Sequence, residues 1–509
     1  MANSEQIYKK QLRVGDLITN KQMESWKQGD IITISAGTGR GKSYFIKCSL
    51  LSYAKEEGKK ILMLIHRSNC VDQFRAEIKR DGKEKYIDIM TYQAIETREL
   101  IHCNIDMSQY KYIVCDEFHY FIGDAGFNKT TDISFENIMN QTHATRIFMS
   151  ATGDNMKRYM NSVRKIKTID YEIPLDFSFI KMLTFFNKDD TLYSFAEEAV
   201  QKNQKAIFFI QSAEKAYKLF KKYEKYSMFV CGKECDYYKK HVDVDKLNTM
   251  LSEEKFTDLF LITTSCLDAG VNIIDNELEH IIIDIKDIGS LIQCMGRKRI
   301  QGDEKIRVYI KTINNQQLGG LETNTRRNIE KADYLKNHTP KEYIEKYPRD
   351  YDKTNIVYDD YIDSNTYIKK VNELMYFKRR FDIAEYEIMK KWGKFGYCKY
   401  LANMFGFYDK DDDRFTYRII NEDNSLETYL DSIVESVMLT RTDRKEFIEK
   451  INVRGNGKLL KSIDVLNGYL KENDYVYRIF EFRTNICEIV DGKNRIKDYK
   501  HAWKIIKLE

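Results

Sequence analysis

The chain has 509 residues, of which 42% are hydrophobic and 32% are charged, and its formal net charge is +5. This length predicts several domains, and so small a charge neither requires nor excludes a nucleic-acid partner. The sequence contains no apolar run long enough to cross a membrane and no N-terminal secretory signal, so we expect a cytoplasmic protein with no membrane partner.

Predicted strands alternate with predicted helices over the first part of the chain. The first set of buried strands comprises Ile31–Ser35, Ile61–Ile65, Ile87–Met90, Tyr112–Cys115 and Arg146–Met149. A second set comprises Ala206–Gln211, Met228–Cys231, Leu259–Thr263, Ile281–Asp284 and Ile306–Ile310. Such alternation predicts an α/β fold class in which parallel sheets carry helices on both faces.

From about residue 320 onward the sequence changes in character. Lys, Glu, Tyr and Ile recur at helical spacing, which predicts a mostly α-helical C-terminal region with a small β element near residues 475–490. Basic and aromatic side chains alternate in residues 376–400. This pattern is typical of an amphipathic helix that buries its aromatic residues. It is also typical of a platform on which unpaired bases stack.

A glycine-rich loop follows the first strand. Residues 36–43 read Ala-Gly-Thr-Gly-Arg-Gly-Lys-Ser and precede a predicted helix, which is the context of a phosphate-binding P-loop. Its glycines let backbone N–H groups turn toward a polyphosphate, and the helix adds its positive end. Lys42 is predicted to hold the β- and γ-phosphates of ATP, and Ser43 to bind Mg²⁺. The candidate nucleotide-binding residues of the loop are Gly37, Thr38, Gly39, Arg40, Gly41, Lys42 and Ser43.

Two adjacent carboxylates follow the strand Tyr112–Cys115. Acids at the carboxyl end of a buried strand are suited to hold a metal ion and a water molecule. Asp116 is therefore predicted to bind Mg²⁺, and Glu117 to polarise the water that attacks the γ-phosphate.

Residues 116–119, Asp-Glu-Phe-His, resemble the DEAH or DExH box of superfamily 2 DEAD/DEAH-box-like helicases. Residues 150–152, Ser-Ala-Thr, resemble the motif that follows it in this superfamily. The resemblance implies two tandem RecA-like domains that use ATP and Mg²⁺. It also implies that His119, Ser150 and Thr152 couple the nucleotide to nucleic-acid binding.

Residues 291–299, Leu-Ile-Gln-Cys-Met-Gly-Arg-Lys-Arg, are similar to motif VI of the superfamily. Gln293 and Arg297 are in register with that motif, which implies catalytic roles and makes Arg297 the candidate arginine finger. The sequence departs from the pattern in two places. Cys294 replaces a usual arginine, and the last arginine of the pattern coincides with Ile300. The neighbouring Arg299 is therefore a further catalytic candidate.

Residues 261–273 resemble motif V, in which Gly270 and Asn272 are candidates for nucleotide contact. Residues 61–67 and 205–212 resemble motifs Ia and IV, and residues 90–93 resemble the motif after Ia. In the superfamily these loops hold the phosphates of one strand. The candidate nucleic-acid-binding residues are His66, Arg67, Thr91, Ser212 and Thr264.

The resemblance predicts RecA-like domains at residues 1–172 and 173–318 and a helical accessory domain at residues 319–509. It implies an ATP-dependent helicase or translocase that moves along a strand, with DNA favoured over RNA and protein partners at the C-terminal region. A double-strand translocase, a nucleotide-dependent switch subunit of a larger complex and an RNA helicase remain alternatives. In composition the chain is similar to helicases of Gram-positive bacteria, their phages and mobile elements.

Overall fold

The structure is a computed structural model. It describes residues 12–66, 68–103, 105–126, 128–232, 235–264, 271–348, 356–361, 367–420, 424–455, 458–473, 475–490 and 493–508. Within these ranges, no helix combines the length and the apolar composition that crossing a membrane requires.

The first sheet has six strands. They are β1 (Ile31–Ala36), β2 (Lys60–Ile65), β3 (Ile87–Thr91), β4 (Tyr110–Asp116), β5 (Thr145–Ser150) and β6 (Ile169–Ile173). Their order is β3-β2-β4-β5-β1-β6, and all neighbours pair in parallel. The carboxyl ends of β1, β4 and β5 therefore meet at one edge, which brings the P-loop close to the acidic box.

Both faces of the first sheet are buried. In β2, Leu62 and Leu64 pack into one hydrophobic cluster, whereas Ile61, Met63 and Ile65 pack into another. Alternate residues of a strand point to opposite faces, so this division requires a packed layer on each side. An uninterrupted apolar strand is what a buried parallel sheet demands.

The second sheet contains β7 (Ile180–Phe186), β8 (Lys205–Ile210), β9 (Ser227–Val230), β10 (Phe260–Thr263), β11 (Leu278–Asp284) and β12 (Ile306–Lys311). A short strand, Arg418–Ile419, completes it. The order is Arg418–Ile419, β7, β12, β11, β8, β10 and β9. Strands β9, β10, β8 and β11 pair in parallel.

Helices connect these strands. They are α1 (Val14–Leu17), α2 (Asn20–Ser25), α3 (Lys42–Tyr44), α4 (Leu51–Glu56), α5 (Ser68–Arg80), α6 (Tyr92–Leu100), α7 (Tyr120–Gly123), α8 (Thr131–Met139), α9 (Asp154–Arg158), α10 (Asp190–Lys202), α11 (Ala213–Lys222), α12 (Asp236–Lys239), α13 (Val244–Glu253) and α14 (Ile288–Met295). A π-helical stretch, Phe45–Leu50, joins α3 to α4, and another, Tyr159–Val163, extends α9. Short 3₁₀ turns lie at Asp124–Gly126 and Glu224–Tyr226.

The C-terminal region has substantial helical content together with small β elements. Its helices are α15 (Asn315–Asn337), α16 (Pro340–Lys346), α17 (Glu373–Lys391), α18 (Gly396–Met404), α19 (Asn424–Ser432), α20 (Asp443–Ile451) and α21 (Ile463–Glu472). Its strands are β13 (Val357–Tyr361), β14 (Tyr367–Val371), β15 (Tyr408–Asp409), β16 (Arg414–Phe415), β17 (Arg418–Ile419), β18 (Val437–Met438), β19 (Arg454–Gly455), β20 (Lys458–Leu459), β21 (Tyr477–Val490) and β22 (Lys493–Lys507).

The predicted fold class is confirmed: two tandem sheets of the RecA-like type, flanked by helices, precede the helix-rich region. By packing, the chain forms two compact units. The first comprises Met1–Lys181, Ala196–Val308 and Thr323–Glu385, and the second comprises Met182–Phe195, Tyr309–Glu322 and Tyr386–Glu509. The compact units are defined by packing, whereas the predicted boundaries at residues 172 and 318 were drawn between sets of sequence motifs. The units therefore do not test these boundaries, which remain a prediction.

The basic and aromatic segment at residues 376–400 uses its aromatic side chains for packing. Phe377 packs against the first sheet's cluster that contains Leu62 and Leu64. The ring of Trp392 lies 5.5 Å from that of Tyr408 and 5.8 Å from that of Phe415. These contacts favour the amphipathic-helix interpretation of this segment over the base-stacking one.

A buried carboxylate ties the helices beneath the first sheet together. Glu96 on α6 is 3% exposed. It accepts hydrogen bonds from Tyr120 (2.7 Å), Ser134 (2.7 Å), Thr130 (2.9 Å) and Asn128 (3.2 Å). A buried charge is tolerated when its oxygens are fully hydrogen-bonded, as these are.

We expect Glu96→Ala to lower the free energy of unfolding by roughly 3 kcal/mol, because it leaves buried donors without their acceptor. Urea unfolding followed by circular dichroism measures this loss. Glu84→Ala, at an exposed acid, is the matched control and should change the free energy by less than about 0.5 kcal/mol. Equal midpoints for the two variants would contradict the structural role of Glu96.

Candidate active site

The P-loop forms as the sequence predicts, between β1 and α3. Gly39 and Gly41 adopt φ values of 80° and 81°, a left-handed conformation that glycine reaches without steric cost. Gly41 caps α3, so the loop opens directly onto a helix N-terminus. Ser43 is exposed to solvent, whereas the Arg40 guanidinium lies 3.6 Å from the Asp176 carboxylate.

Lys42 is buried at the base of this loop. Its Nζ donates hydrogen bonds to the carbonyl oxygens of Ala36 (2.8 Å) and Gly37 (3.2 Å). Burial lowers the pKa of Lys42, and the nearby Glu117 and Asp116 carboxylates oppose that effect. The direct partners of the Lys42 ammonium group are two carbonyl oxygens, and two carboxylates lie nearby. A phosphate would stabilise this cation further.

The acidic pair lies at the carboxyl end of β4. Burial, followed by the charge of Glu117, raises the pKa of Asp116 to about 7. Burial also opposes ionisation of Glu117, but the His119 hydrogen bond and the Lys42 charge outweigh it and hold the pKa of Glu117 below its usual range. Glu117 itself has a φ of 51°, which is uncommon for a residue with a side chain.

The donor groups fit Mg²⁺. Ser43 and Asp116 line the same cavity and offer a hydroxyl and a carboxylate oxygen, which are the hard ligands that this ion prefers. The described residues contain no cluster of three or more His, Cys, Asp or Glu side chains suited to hold a metal ion. Mg²⁺ needs none, because phosphate and water oxygens ordinarily complete its coordination.

A chain of hydrogen bonds links Glu117 to α14. Gln293 Nε2 lies 2.9 Å from His119 Nε2, and His119 Nδ1 lies 2.9 Å from Ser150 Oγ. Ser150 Oγ donates to Glu117 Oε2 at 3.3 Å and accepts from the Thr152 N–H at 3.0 Å. Every donor has an acceptor if His119 is neutral and carries its proton on Nδ1.

Gly153 directly follows Thr152 of this network and leaves space for Phe118 of the acidic box. A Cβ atom at Gly153 would lie 2.3 Å from the ring of Phe118. Its φ is −84°, so glycine is required here for space and not for backbone conformation. Phe118 is fully buried between Glu117 and His119 in sequence, so its packing fixes the positions of both neighbours.

Two arginines face the P-loop from the segment after α14. Arg297 is 3% exposed, and its guanidinium donates to the carbonyl oxygens of Gln293 (3.2 Å) and Val271 (3.4 Å). Arg299 donates to Asn272 Oδ1 at 2.7 Å. Burial, followed by the charge of Arg297, lowers the pKa of Arg299 to about 10. Arg297 is buried and Arg299 is partly buried, and both cations are suited to meet an anionic group.

The backbone at the end of α14 lies directly against the P-loop. A Cβ atom at Gly296 would lie 2.3 Å from Thr38 Oγ1, and a Cβ at Gly39 would lie 3.5 Å from Arg299 Nη1. Glycine at position 296 therefore permits a close approach that any side chain would obstruct.

These groups surround one cavity of about 370 Å³. Its walls include the candidate residues Thr38, Gly39, Gly41, Lys42, Ser43, His66, Asp116, Glu117, Asn272, Arg297 and Arg299. Tyr44, Lys47, Ile65, Phe74 and Glu77 also line it and were not predicted. Tyr44 directly follows the P-loop serine and could have been suspected. Phe74 and Glu77 reach the cavity only through the packing of α5.

The candidate nucleic-acid-binding residues have different surroundings. Thr91 and Ser212 accept hydrogen bonds from backbone N–H groups in the first turns of α6 and α11, so they cap these helices. Thr264 is buried after β10. His66 Nε2 lies 2.7 Å from Asp124 at the cavity wall. The remaining candidates, Arg67 and the nucleotide-contact candidate Gly270, lie outside the described residues.

No family model and no curated protein matches the sequence. The fold is similar to S. cerevisiae Dbp5 bound to RNA and ADP BeF3, at 14% identity over 55% of this chain and 78% of that chain, with a TM-score of 0.41. It is similar to the Escherichia coli DEAH/RHA helicase HrpB at 14% identity over 58% of this chain and 42% of that chain (TM-score 0.41). It is also similar to the DUF1998 helicase MrfA bound to DNA and AMPPNP, at 16% identity over 61% of this chain and 49% of that chain (TM-score 0.42).

The hydrogen-bond chain predicts that Gln293→Ala will uncouple His119 without collapsing the P-loop. We expect it to reduce the maximal rate of ATP hydrolysis by roughly 10- to 100-fold, because it removes a group that orients the network beside Glu117. Steady-state ATPase assays and nucleotide binding by fluorescence measure the two effects. Gln301→Ala, at an exposed glutamine outside the cavity, is the control. A loss of nucleotide binding equal to the loss of rate would contradict the orienting role.

The raised pKa of Asp116 predicts pH-dependent binding of Mg²⁺–ATP. Since a proton and Mg²⁺ compete for this carboxyl, affinity should fall as the pH drops through about 7. Each pH unit below that value should weaken binding about tenfold. Titration calorimetry in buffers of different ionisation enthalpy reports the released proton. Asp116→Asn should bind weakly and should lose the part of the pH dependence that is not due to ATP itself. The same pH profile in the variant would refute the assignment.

Proposed function

We propose that the chain is an ATP-dependent nucleic-acid helicase or translocase of superfamily 2. The observation that carries the proposal is the convergence of two sets of groups on one cavity. Lys42, Asp116 and Glu117 come from the first sheet, and Arg297 and Arg299 come from the segment after α14. An anionic nucleotide at this cavity compensates the charge of the buried cations, and it changes the contacts of both sets at once.

In the proposed reaction, Lys42 exchanges its carbonyl partners for the β- and γ-phosphates. Glu117, which stays ionised, accepts a hydrogen bond from the attacking water and orients it for in-line attack. Arg297 stabilises the charge that develops on the γ-phosphate, and Arg299 supports it from beside the P-loop glycines. Ser43 and Asp116 would hold Mg²⁺, which would supply charge neutralisation to the phosphates.

Hydrolysis is proposed to alter the grip on nucleic acid through the chain of His119, Ser150, Thr152 and Gln293. Loss of the γ-phosphate removes the partner of Arg297, which is four residues from Gln293 on the same segment. Thr91 and Ser212 cap the N-termini of α6 and α11, and we assign these two N-termini to phosphates of one strand. DNA is the proposed substrate, and RNA is the alternative.

We further propose that the chain acts in the cytoplasm as a helicase of the DEAH-box type. Residues 1–172 and 173–318 form the two motor domains, and residues 319–509 form an accessory domain that contacts nucleic acid or protein partners. We propose that the chain is a helicase of the type found in Gram-positive bacteria, their phages and mobile elements.

We expect ATP hydrolysis to be stimulated by one polymer among single-stranded DNA, duplex DNA and single-stranded RNA, and to be abolished in Lys42→Ala. Lys42 donates to carbonyl groups of the P-loop and is proposed to hold the β- and γ-phosphates, so its loss should reduce the rate by at least about 1,000-fold. A labelled fork then distinguishes strand release from translocation without unwinding. No hydrolysis with any polymer would contradict the motor and favour a nucleotide-dependent switch.

A further inference from the structure

The last two long strands form a hairpin with two chemically different faces. Strands β21 and β22 pair in antiparallel fashion, and β18 pairs with β22 to complete a three-stranded sheet. On one face, Tyr477, Ile479, Trp503 and Ile505 are buried in a hydrophobic cluster with α19, α20 and α21. This face anchors the hairpin.

The opposite face carries aromatic and basic side chains. Its cross-strand pairs are Phe480 with Lys504, Phe482 with Ala502, Thr484 with Tyr499, and Ile486 with Lys497. We call this surface the hairpin face. Phe480 is 40% exposed, and Phe482, Ile486 and Tyr499 are partly exposed. The row from Phe480 to Ile486 is roughly 20 Å long.

Cations lie over two rings of the hairpin face. The Arg478 guanidinium lies 5.1 Å from the ring centroid of Phe480, and Lys497 Nζ lies 5.0 Å from that of Tyr499. Lys504 forms an ion pair with Glu435. Residues 477–507 contain eight Lys or Arg against four Asp or Glu, so the hairpin is basic.

Two acids of the hairpin are turned away from this face. Asp498 pairs with Arg483, and Glu481 pairs with His501. Because Glu481 lies opposite Trp503 and Asp498 lies opposite Asn485, strand alternation places both on the anchored side. The hairpin face therefore combines partly exposed aromatic rings with the cations Arg478 and Lys497, a pairing that favours a polyanion.

We propose that the hairpin face binds a single strand of nucleic acid, with bases stacked on Phe480, Phe482 and Tyr499 and phosphates near Arg478 and Lys497. Aromatic rings bind any base through its π-face, and basic side chains beside them follow the backbone, so the binding is independent of sequence. The face lies outside the candidate active site, and it binds a strand whether or not the chain hydrolyses ATP. The cations at Phe480 and Tyr499 favour a polyanion over a neutral partner.

The test measures binding of a fluorescein-labelled oligothymidylate of about 16 nucleotides to the full chain without nucleotide. We expect Phe480→Ala/Tyr499→Ala to weaken binding about tenfold or more, since two stacking contacts are lost. Lys497→Gln should weaken binding less. It should also reduce the slope of log affinity against log salt concentration by about the amount that one phosphate contact contributes. The same measurement with an oligouridylate of equal length should give the same order of variants.

Ile496→Ala and Cys487→Ser alter exposed residues on the other side of the hairpin and serve as matched controls. They should bind as the unaltered chain does. Melting temperatures verify that the variants are folded. If the double variant does not fold, Lys497→Gln still tests the hairpin face. Unchanged affinity in both hairpin-face variants would overturn the proposal. So would a dimer that dissociates in Phe480→Ala/Tyr499→Ala while affinity for the oligonucleotide stays unchanged.

Discussion

The hydrogen bonds from Gln293 through His119 and Ser150 to Glu117 constrain the whole candidate site. His119 and Ser150 each accept from one neighbour and donate to the next, so the direction of each bond fixes the direction of the others. Protonation of His119 on Nε2 would place a donor against the Gln293 amide and would require that amide to rotate. The observed network therefore requires the tautomer of His119 that carries its proton on Nδ1.

Close backbone packing makes this network possible. Gly153 leaves space for Phe118, and Gly296 lets the end of α14 approach Thr38. Both glycines lie in segments with similarity to helicase motifs, yet neither has a positive φ. Their common function is to permit short distances between elements. The buried charges of Arg297 and Arg299 then lie close enough to the acidic box to affect its ionisation.

The C-terminal region contributes to two different structures. Ile329 of α15 and Ile383 of α17 belong to the same hydrophobic cluster as Leu62 and Leu64 of the first sheet, and these residues share one compact unit. Residues 386–509 belong to the other unit, which includes the basic hairpin. Part of the region thus covers the first sheet, and the remainder belongs to the second compact unit.

The sequence alone determined the fold class and the local elements. Apolar runs such as Ile31–Ser35 predict buried strands, and the glycines, lysine and serine of residues 37–43 predict a P-loop because their chemistry is local to one turn. The assignments of Asp116 and Glu117 likewise follow from the end of one strand. Their functional roles remain predictions, as do those of the motif V and VI residues.

Only the tertiary structure decided which distant groups meet. Gln293 and His119 are 174 positions apart, and no spacing in the sequence relates their side chains. Arg299 did not match the motif pattern, and its place at the P-loop depends on the packing of Gly296 against Thr38. The hairpin was anticipated near residues 475–490, but its two faces were not, because alternation becomes interpretable only when strand register and the covering helices are known. Local chemistry depends on residues that are neighbours in the sequence, whereas contacts across the cavity depend on how whole helices and strands pack.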